Sequence, residues 1–220
     1  NIDNPQITYD SANDKVVAVY SDPDDSNAAY AVVGTVTGEN ISWGTPVEFA
    51  AQGDGPACVY EGTSEKVVVF YRDQANSNRG TARVGTVSGT GISFGGTTVF
   101  NPTDTQKIRA AAGNGKILLV YKDVGGSPPN DGKAMACSVS GTNFSFGSEN
   151  SLNANNVTND IQVTYASGYE DPSGDSNVFG VFYKDTGNAS KGTARVCYLA
   201  ANGTNNVTVT IDSPATVDFQ

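Results

Sequence analysis

The chain repeats itself. The segment KVVAVYSD at Lys15–Asp22 returns as KVVVFYRD at Lys66–Asp73, as KILLVYKD at Lys116–Asp123 and as VFGVFYKD at Val178–Asp185. Each copy leads through a polar stretch into a second shared block: AVVGTVTG at 31–38, ARVGTVSG at 82–89, AMACSVSG at 134–141 and ARVCYL at 194–199. A third block closes three of the four, as ISWG at 41–44, ISFG at 92–95 and FSFG at 144–147. Three blocks recurring in the same order define four tandem repeats of about fifty residues. Their bounds read as 5–55, 56–107, 108–160 and 161–220, forming one repeat domain over 1–220.

Within a repeat, Gly, Asn, Asp and Pro clusters separate four short extended segments, the sequence form of strands joined by tight turns. In the second repeat these are 56–60, 66–71, 80–87 and 91–100, and no stretch carries a helical period. The run Val67-Val68-Val69-Phe70-Tyr71 is apolar at successive rather than alternate positions, so both faces of its strand must be covered. Stacked four-stranded antiparallel sheets cover both faces of each sheet, so the expected fold is all-β, a β-propeller of four-stranded blades. One repeat is too small to bury its apolar faces alone, and the copies must stack on one another. Four units suit a four-bladed ring or a segment of a larger array. The fourth departs from the pattern, with an insertion around Glu170 to Asn177 and NNVTV at 205–209 in place of the aromatic-Gly block.

Charge and composition exclude several functions. Against 23 Asp and Glu stand 13 Lys and Arg, a formal charge of −10 that repels nucleic acid and anionic membranes. No apolar run is long enough to span a bilayer. The first residues do not form a signal peptide, and the absence of an initiator Met suggests a mature chain or a piece of something longer. A surface rich in Asn, Gly, Ser and Thr suits an extracellular or virion-surface setting. With no His, Ser-His-Asp and Cys-His arrangements are impossible, as are His-based metal sites. A glycosidase could still work with two carboxylates, and sialidase-like chemistry would want clustered arginines. Only Arg72, Arg79, Arg83, Arg109 and Arg195 exist, and Arg83 and Arg195 occupy matched repeat positions, which reads as sheet surface. The chain is therefore read as no enzyme.

Four acids recur at the end of the second strand: Asp22, Asp73, Asp123 and Asp185. Recurrence in every copy favours turn capping over catalysis, since a catalytic residue is needed once. The alternative use of the first is calcium, because 22–27 (DPDDSN) offers several oxygen ligands; no other metal or cofactor is expected. Cys58, Cys137 and Cys197 lack metal-ligand spacing and read as buried small hydrophobes, Cys137 and Cys197 being too far apart, as equivalents in neighbouring repeats, for a disulfide. Asn-x-Ser/Thr sequons stand at Asn40, Asn143, Asn156, Asn188, Asn202 and Asn206, candidates for glycosylation in a eukaryotic source. Trp43, with counterparts Phe94 and Phe146, is the candidate ligand-stacking aromatic.

The segment 37–44 and its copies resemble, in position and final aromatic, the Asp-box turn of sialidase-type propellers, without the Asp. The longer phrase VFYRD…NSNRGTARVGTVSGTGISFG at 69–95 resembles a repeat of large structural proteins of marine bacteriophages, including tail-fibre-like chains, and of extracellular proteins of aquatic microbes. That resemblance implies a building unit of a fibre, appendage or extracellular filament that contacts copies of itself or cell-surface glycans, and brings no catalytic residues. Rival readings are a carbohydrate-binding, lectin-like propeller and a sialidase-like glycoside hydrolase.

Overall fold

Turn chemistry cuts this chain into strands, and almost nothing else forms. The computed structural model describes residues 1–153, 158–170, 174, 177–201, 207–211 and 215–217. Among them the only helical elements are two 3-10 turns, Pro23–Asp25 and Gln74–Asn76. All strand pairings are antiparallel.

The first sheet holds β1 (Asp3–Asp10), β2 (Lys15–Asp22), β3 (Ala28–Thr37) and β4 (Asn40–Trp43) in chain order, with β5 (Val47–Ala50) also on β3. The second runs through β6 (Gly53–Glu61), β7 (Lys66–Asp73), β8 (Arg79–Ser88) and β9 (Gly91–Gly113). Strand β9 is continuous, and its residues from Thr105 to Gly113 pair with β10 (Lys116–Asp123), so it also opens the third sheet. The third sheet continues with β11 (Asp131–Ser140), β12 (Asn143–Phe146) and β13 (Asn150–Ser151). The fourth comprises β14 (Thr158–Tyr165), β15 (Val178–Asp185), β16 (Lys191–Ala201), β17 (Val207–Ile211) and β18 (Ala215–Val217).

The expected repeat bounds at 55/56, 107/108 and 160/161 fall inside β6, β9 and β14. The cause is a bulge. Each first strand shifts register near its start, and Asn4, Gly55, Lys107 and Asp160 take φ between 49° and 55° there. An extra residue in left-handed conformation breaks the alternation that marks a strand in sequence.

The chain divides into two compact units, one of residues Asn1–Pro102 with Val139–Phe144, the other of Thr103–Ser138 with Ser145–Gln220. In the first, Val17, Val19, Ala29, Ala31, Val33 and Phe49 of the first sheet bury against Val67, Val69, Tyr71, Val87 and Ile92 of the second. In the other unit, Leu118, Val120, Ala134, Ala136 and Leu152 bury against Ile161, Phe179, Val181, Tyr183, Cys197 and Leu199. The packing is face to face with one polarity. In repeat-equivalent terms, the face carrying Val17 and Val19, or Leu118 and Val120, meets the face carrying Val67, Val69 and Tyr71, or Phe179, Val181 and Tyr183. We call these the trailing and leading faces.

Both faces of β7 and β10 are buried, as their unbroken apolar runs require. The trailing side of β7 is covered by Phe100 and Phe144, whose rings lie edge-on to Phe70 at 6.1 and 5.5 Å. The same expectation fails for β2. Its trailing residues Val17 and Val19 are fully buried, but Val16, Ala18 and Tyr20 on its leading side are only half-buried.

Candidate functional site

The recurrent aspartates sit where strand two turns into strand three. Asp22 accepts from the amide of Asp24 at 3.0 Å and so caps the first 3-10 turn. Asp73 is half-buried before the second; burial raises its carboxyl, opposed by the amides of Asn76 and Ala75. Asp123 accepts from the Thr103 hydroxyl, and Asp185 Oδ1 accepts from the amide of Asn188 at 3.1 Å. Two residues in left-handed conformation then reverse the chain after each of the 3-10 turns, Ser26-Asn27 and Ser77-Asn78. In the proposed calcium segment, Asp22 is engaged in the cap and Asp25 accepts from the hydroxyl of Tyr30, whose own ionisation this bond pushes up to about 12. No group of three or more metal-capable acids or cysteines occurs among the described residues. Asp25 and Glu48, both exposed, border one hollow of about 490 Å³.

Two further acids, Asp10 and Glu61, cap the hairpins between the first and second strands. Asp10 Oδ1 takes the amides of Ala12 and Asn13 at 3.1 Å each, and Oδ2 takes Asn13 Nδ2 at 2.9 Å. Glu61 takes the amides of Thr63 and Ser64 at 2.9 and 2.8 Å. Asp and Glu at equivalent places in the first two repeats were the available signal.

Arg83 and Arg195 are not simply sheet surface. Arg83 donates to the carbonyl of Phe49 on the preceding sheet and to that of Gly95, with its guanidinium 5.5 Å from the centre of the Phe94 ring. Arg195 Nε donates to the Tyr183 hydroxyl at 3.1 Å, which donates to the carbonyl of Leu152 at 3.2 Å. Phe49 and Leu152 are repeat equivalents, so one acceptor site is latched in two ways. Arg72 pairs with Asp54 at 3.5 Å, and Arg79 and Arg109 bond locally.

The aromatic-Gly block also finds a physical role. Trp43 lies over Gly34, where a Cβ would stand 2.8 Å from Trp43 Cζ3; Phe94 lies likewise over Gly85 at 3.0 Å. The glycines after Trp43 and Phe94 admit the hairpin of the next repeat: a Cβ at Gly44 would sit 2.1 Å from the carbonyl oxygen of Thr90, and one at Gly95 would sit 3.1 Å from that of Thr142. Phe94 completes the contact by packing 5.5 Å from Phe49.

Trp43 occupies the same position in the first sheet yet is 48% exposed. It shares the leading face with Ile7 (59%) and Tyr9 (53%), and with Tyr20 and Tyr30, whose rings stack at 5.8 Å. The equivalents of Ile7 and Tyr9 in the second sheet, Cys58 and Tyr60, are packed against the first. Those in the fourth, Val163 and Tyr165, are packed against the third. The leading face of the first sheet is thus an aromatic-rich surface open to solvent.

All three cysteines are free, Cys137 and Cys197 buried and Cys58 half-buried. Sequon residues Asn40, Asn143 and Asn188 are exposed, whereas Asn156, Asn202 and Asn206 lie outside the described residues. No described helix is long and apolar enough to cross a membrane.

No family model matches the chain, and no curated protein does. Among solved structures, an exo-beta-1,3-galactanase from Clostridium thermocellum aligns over 95% of this chain with a TM-score of 0.52 and 12% identity. The chain spans 48% of that protein's length. At this identity the likeness is one of fold.

Proposed function

We propose that this chain is a non-catalytic structural unit whose stacked sheets are propeller blades, and that it works by surface contact in an extracellular filament, appendage or viral fibre. One observation carries the reading: Ile7, Tyr9 and Trp43 stand open where their counterparts Cys58, Tyr60 and Phe94 are covered by a neighbouring sheet. An apolar face that is an interface in the second and fourth sheets is a docking surface in the first. The acids that recur from repeat to repeat support the same reading, since Asp10, Glu61, Asp22 and Asp185 are taken up by turn amides. Glycan binding or galactan cleavage by the purified chain, lost on Trp43→Ala with the fold intact, would overturn it.

A second reading has its own support. The exposed indole of Trp43, with Tyr9, Tyr20 and Tyr30 on the same flat sheet face, offers planes on which the C–H faces of sugar rings can stack. The galactanase likeness leans the same way. A carbohydrate-binding module would give saturable glycan binding with no hydrolysis.

A further inference from the structure

The open face of the first sheet has a complement on the fourth. The trailing positions that are fully buried in the first and third sheets, Ala31 and Val33 or Ala134 and Ala136, correspond in the fourth to Ala194 and Val196, and Val196 is 38% exposed. Phe182, the counterpart of Val19 and Val120, is 37% exposed and sits over Gly192, where a Cβ would stand 2.6 Å from its Cζ. Thr164 and Lys184 on the same face are exposed. We propose that this trailing face seats the leading face of the first sheet of a second copy of the chain, repeating between molecules the stacking found inside each unit.

The internal contacts fix the register. In the second unit Lys122, on a trailing face, donates to Asn159 Oδ1 at 3.1 Å. Strand pairing makes Lys184 the equivalent of Lys122, and Asp3 the equivalent of Asn159, because Asp3 lies opposite Ser21 as Asn159 lies opposite Lys184. Docking therefore brings Lys184 of one copy to Asp3 of the next, where the neutral amide is replaced by a carboxylate of opposite charge. The other end of the first strand agrees. Tyr165 covers Gly113, so close that a Cβ there would lie 2.3 Å from its ring. Tyr9 is the equivalent of Tyr165, and the equivalent of Gly113 on the fourth sheet is Ala166. Ala166, with Gly180, Val196 and Tyr198, lines a mainly apolar hollow of about 270 Å³, room for the phenol ring of Tyr9. In the first unit Thr8 Oγ1 accepts from the amide of Tyr60; Thr164 would take that of Tyr9.

The two faces differ, so the contact is heterologous and generates rings or open filaments rather than a closed two-fold dimer. The inference rests on the blade-stacking reading and names its partner.

Sedimentation equilibrium from about 1 μM to about 1 mM tests it. The wild type should grow in mass with concentration. Trp43→Asp, which spoils the leading face, and Val196→Asp, which spoils the trailing face, should each remain monomeric with unchanged circular dichroism. Mixed together they should form a one-to-one dimer and nothing larger, since each retains the face the other lost. Lys184→Glu and Asp3→Lys should each weaken association about tenfold, and the double variant should restore it. A wild type that is monomeric throughout, association surviving in either single-face variant, or a mixture that stays monomeric overturns the second-copy docking; failed charge rescue overturns its register. Glycan binding by the monomer, lost on Trp43→Asp, would instead sink the contact-unit reading on which this one rests.

Discussion

Arg83 reaches from β8 to the preceding sheet and donates through Nη1 to the carbonyl oxygen of Phe49, 2.8 Å away, while Nε and Nη2 grip the carbonyl of Gly95 at 3.0 and 2.8 Å. The fork adds a charged, directional tie between two sheets that are otherwise joined by apolar packing and by neutral hydrogen bonds such as those from Ser21 Oγ to the Gly53 carbonyl and from the Tyr60 amide to Thr8 Oγ1. Hydrogen bonds from a charged donor contribute about 1.5 to 3 kcal/mol in such settings. Arg83→Met, which keeps the apolar stem, should lower unfolding stability by about 2 kcal/mol in urea titrations. Arg83→Lys should recover less than half, because an ammonium cannot serve both carbonyls in the fixed geometry of the fork.

The hairpin caps should rank by the bonds they accept. Asp10 is buried and takes three donors, whereas Asp22 is half-buried and is seen to take one. Asp10→Ala leaves two turn amides without their acceptor and should cost about 2 kcal/mol; Asp22→Ala should cost under about 1 kcal/mol. Equal losses by denaturant unfolding would refute the ranking.

Much of the fold was legible because β7 and β10 carry apolar residues at every position, and only sheets covered on both sides tolerate that. The open face was not. Its residues Val16, Ala18 and Tyr20 match Val67, Val69 and Tyr71 almost letter for letter, and whether such a face is covered depends on the neighbour rather than on the strand. The latches were hidden for another reason: their acceptors, the carbonyls of Phe49 and Leu152, are backbone atoms that any residue supplies. Strand starts were obscured by the left-handed bulge residues Asn4, Gly55, Lys107 and Asp160, whose types share nothing visible. Trp43 stands at a repeated aromatic position, but its exposure could not be read from Phe94, since of the two only Phe94 has a sheet in front of it.

Gly44 is needed for close approach rather than for backbone freedom. A Cβ there would meet the backbone oxygen of Thr90 at 2.1 Å, and backbone cannot rotate aside as a side chain can. Gly44→Ala should therefore destabilise by about 2 to 3 kcal/mol through overpacking. Gly95→Ala, with its nearest atoms at 3.0 and 3.1 Å, should lose about 1 kcal/mol. Thermal melts of the two variants give the order directly.

The thiols and buried phenols set an alkaline limit on stability. Burial pushes the Cys58 and Cys197 thiols from 9.0 up to about 12, and the Tyr71 phenol from 10.0 up to about 12, and raises Cys137 and Tyr183 as well. Each group ionises at lower pH in the unfolded chain than in the folded one, so unfolding releases protons in that window. Their contribution is fully present below about pH 9 and is lost as pH rises toward 12. Urea midpoints should hold level from about pH 7 to 9 and fall beyond it, less steeply in Cys58→Ala. At about pH 8 no thiol should react readily with a disulfide reagent until denaturant is added, when all three should. Prompt labelling of one thiol in the native protein would show that its site is open and ionised, contrary to the burial that raises it.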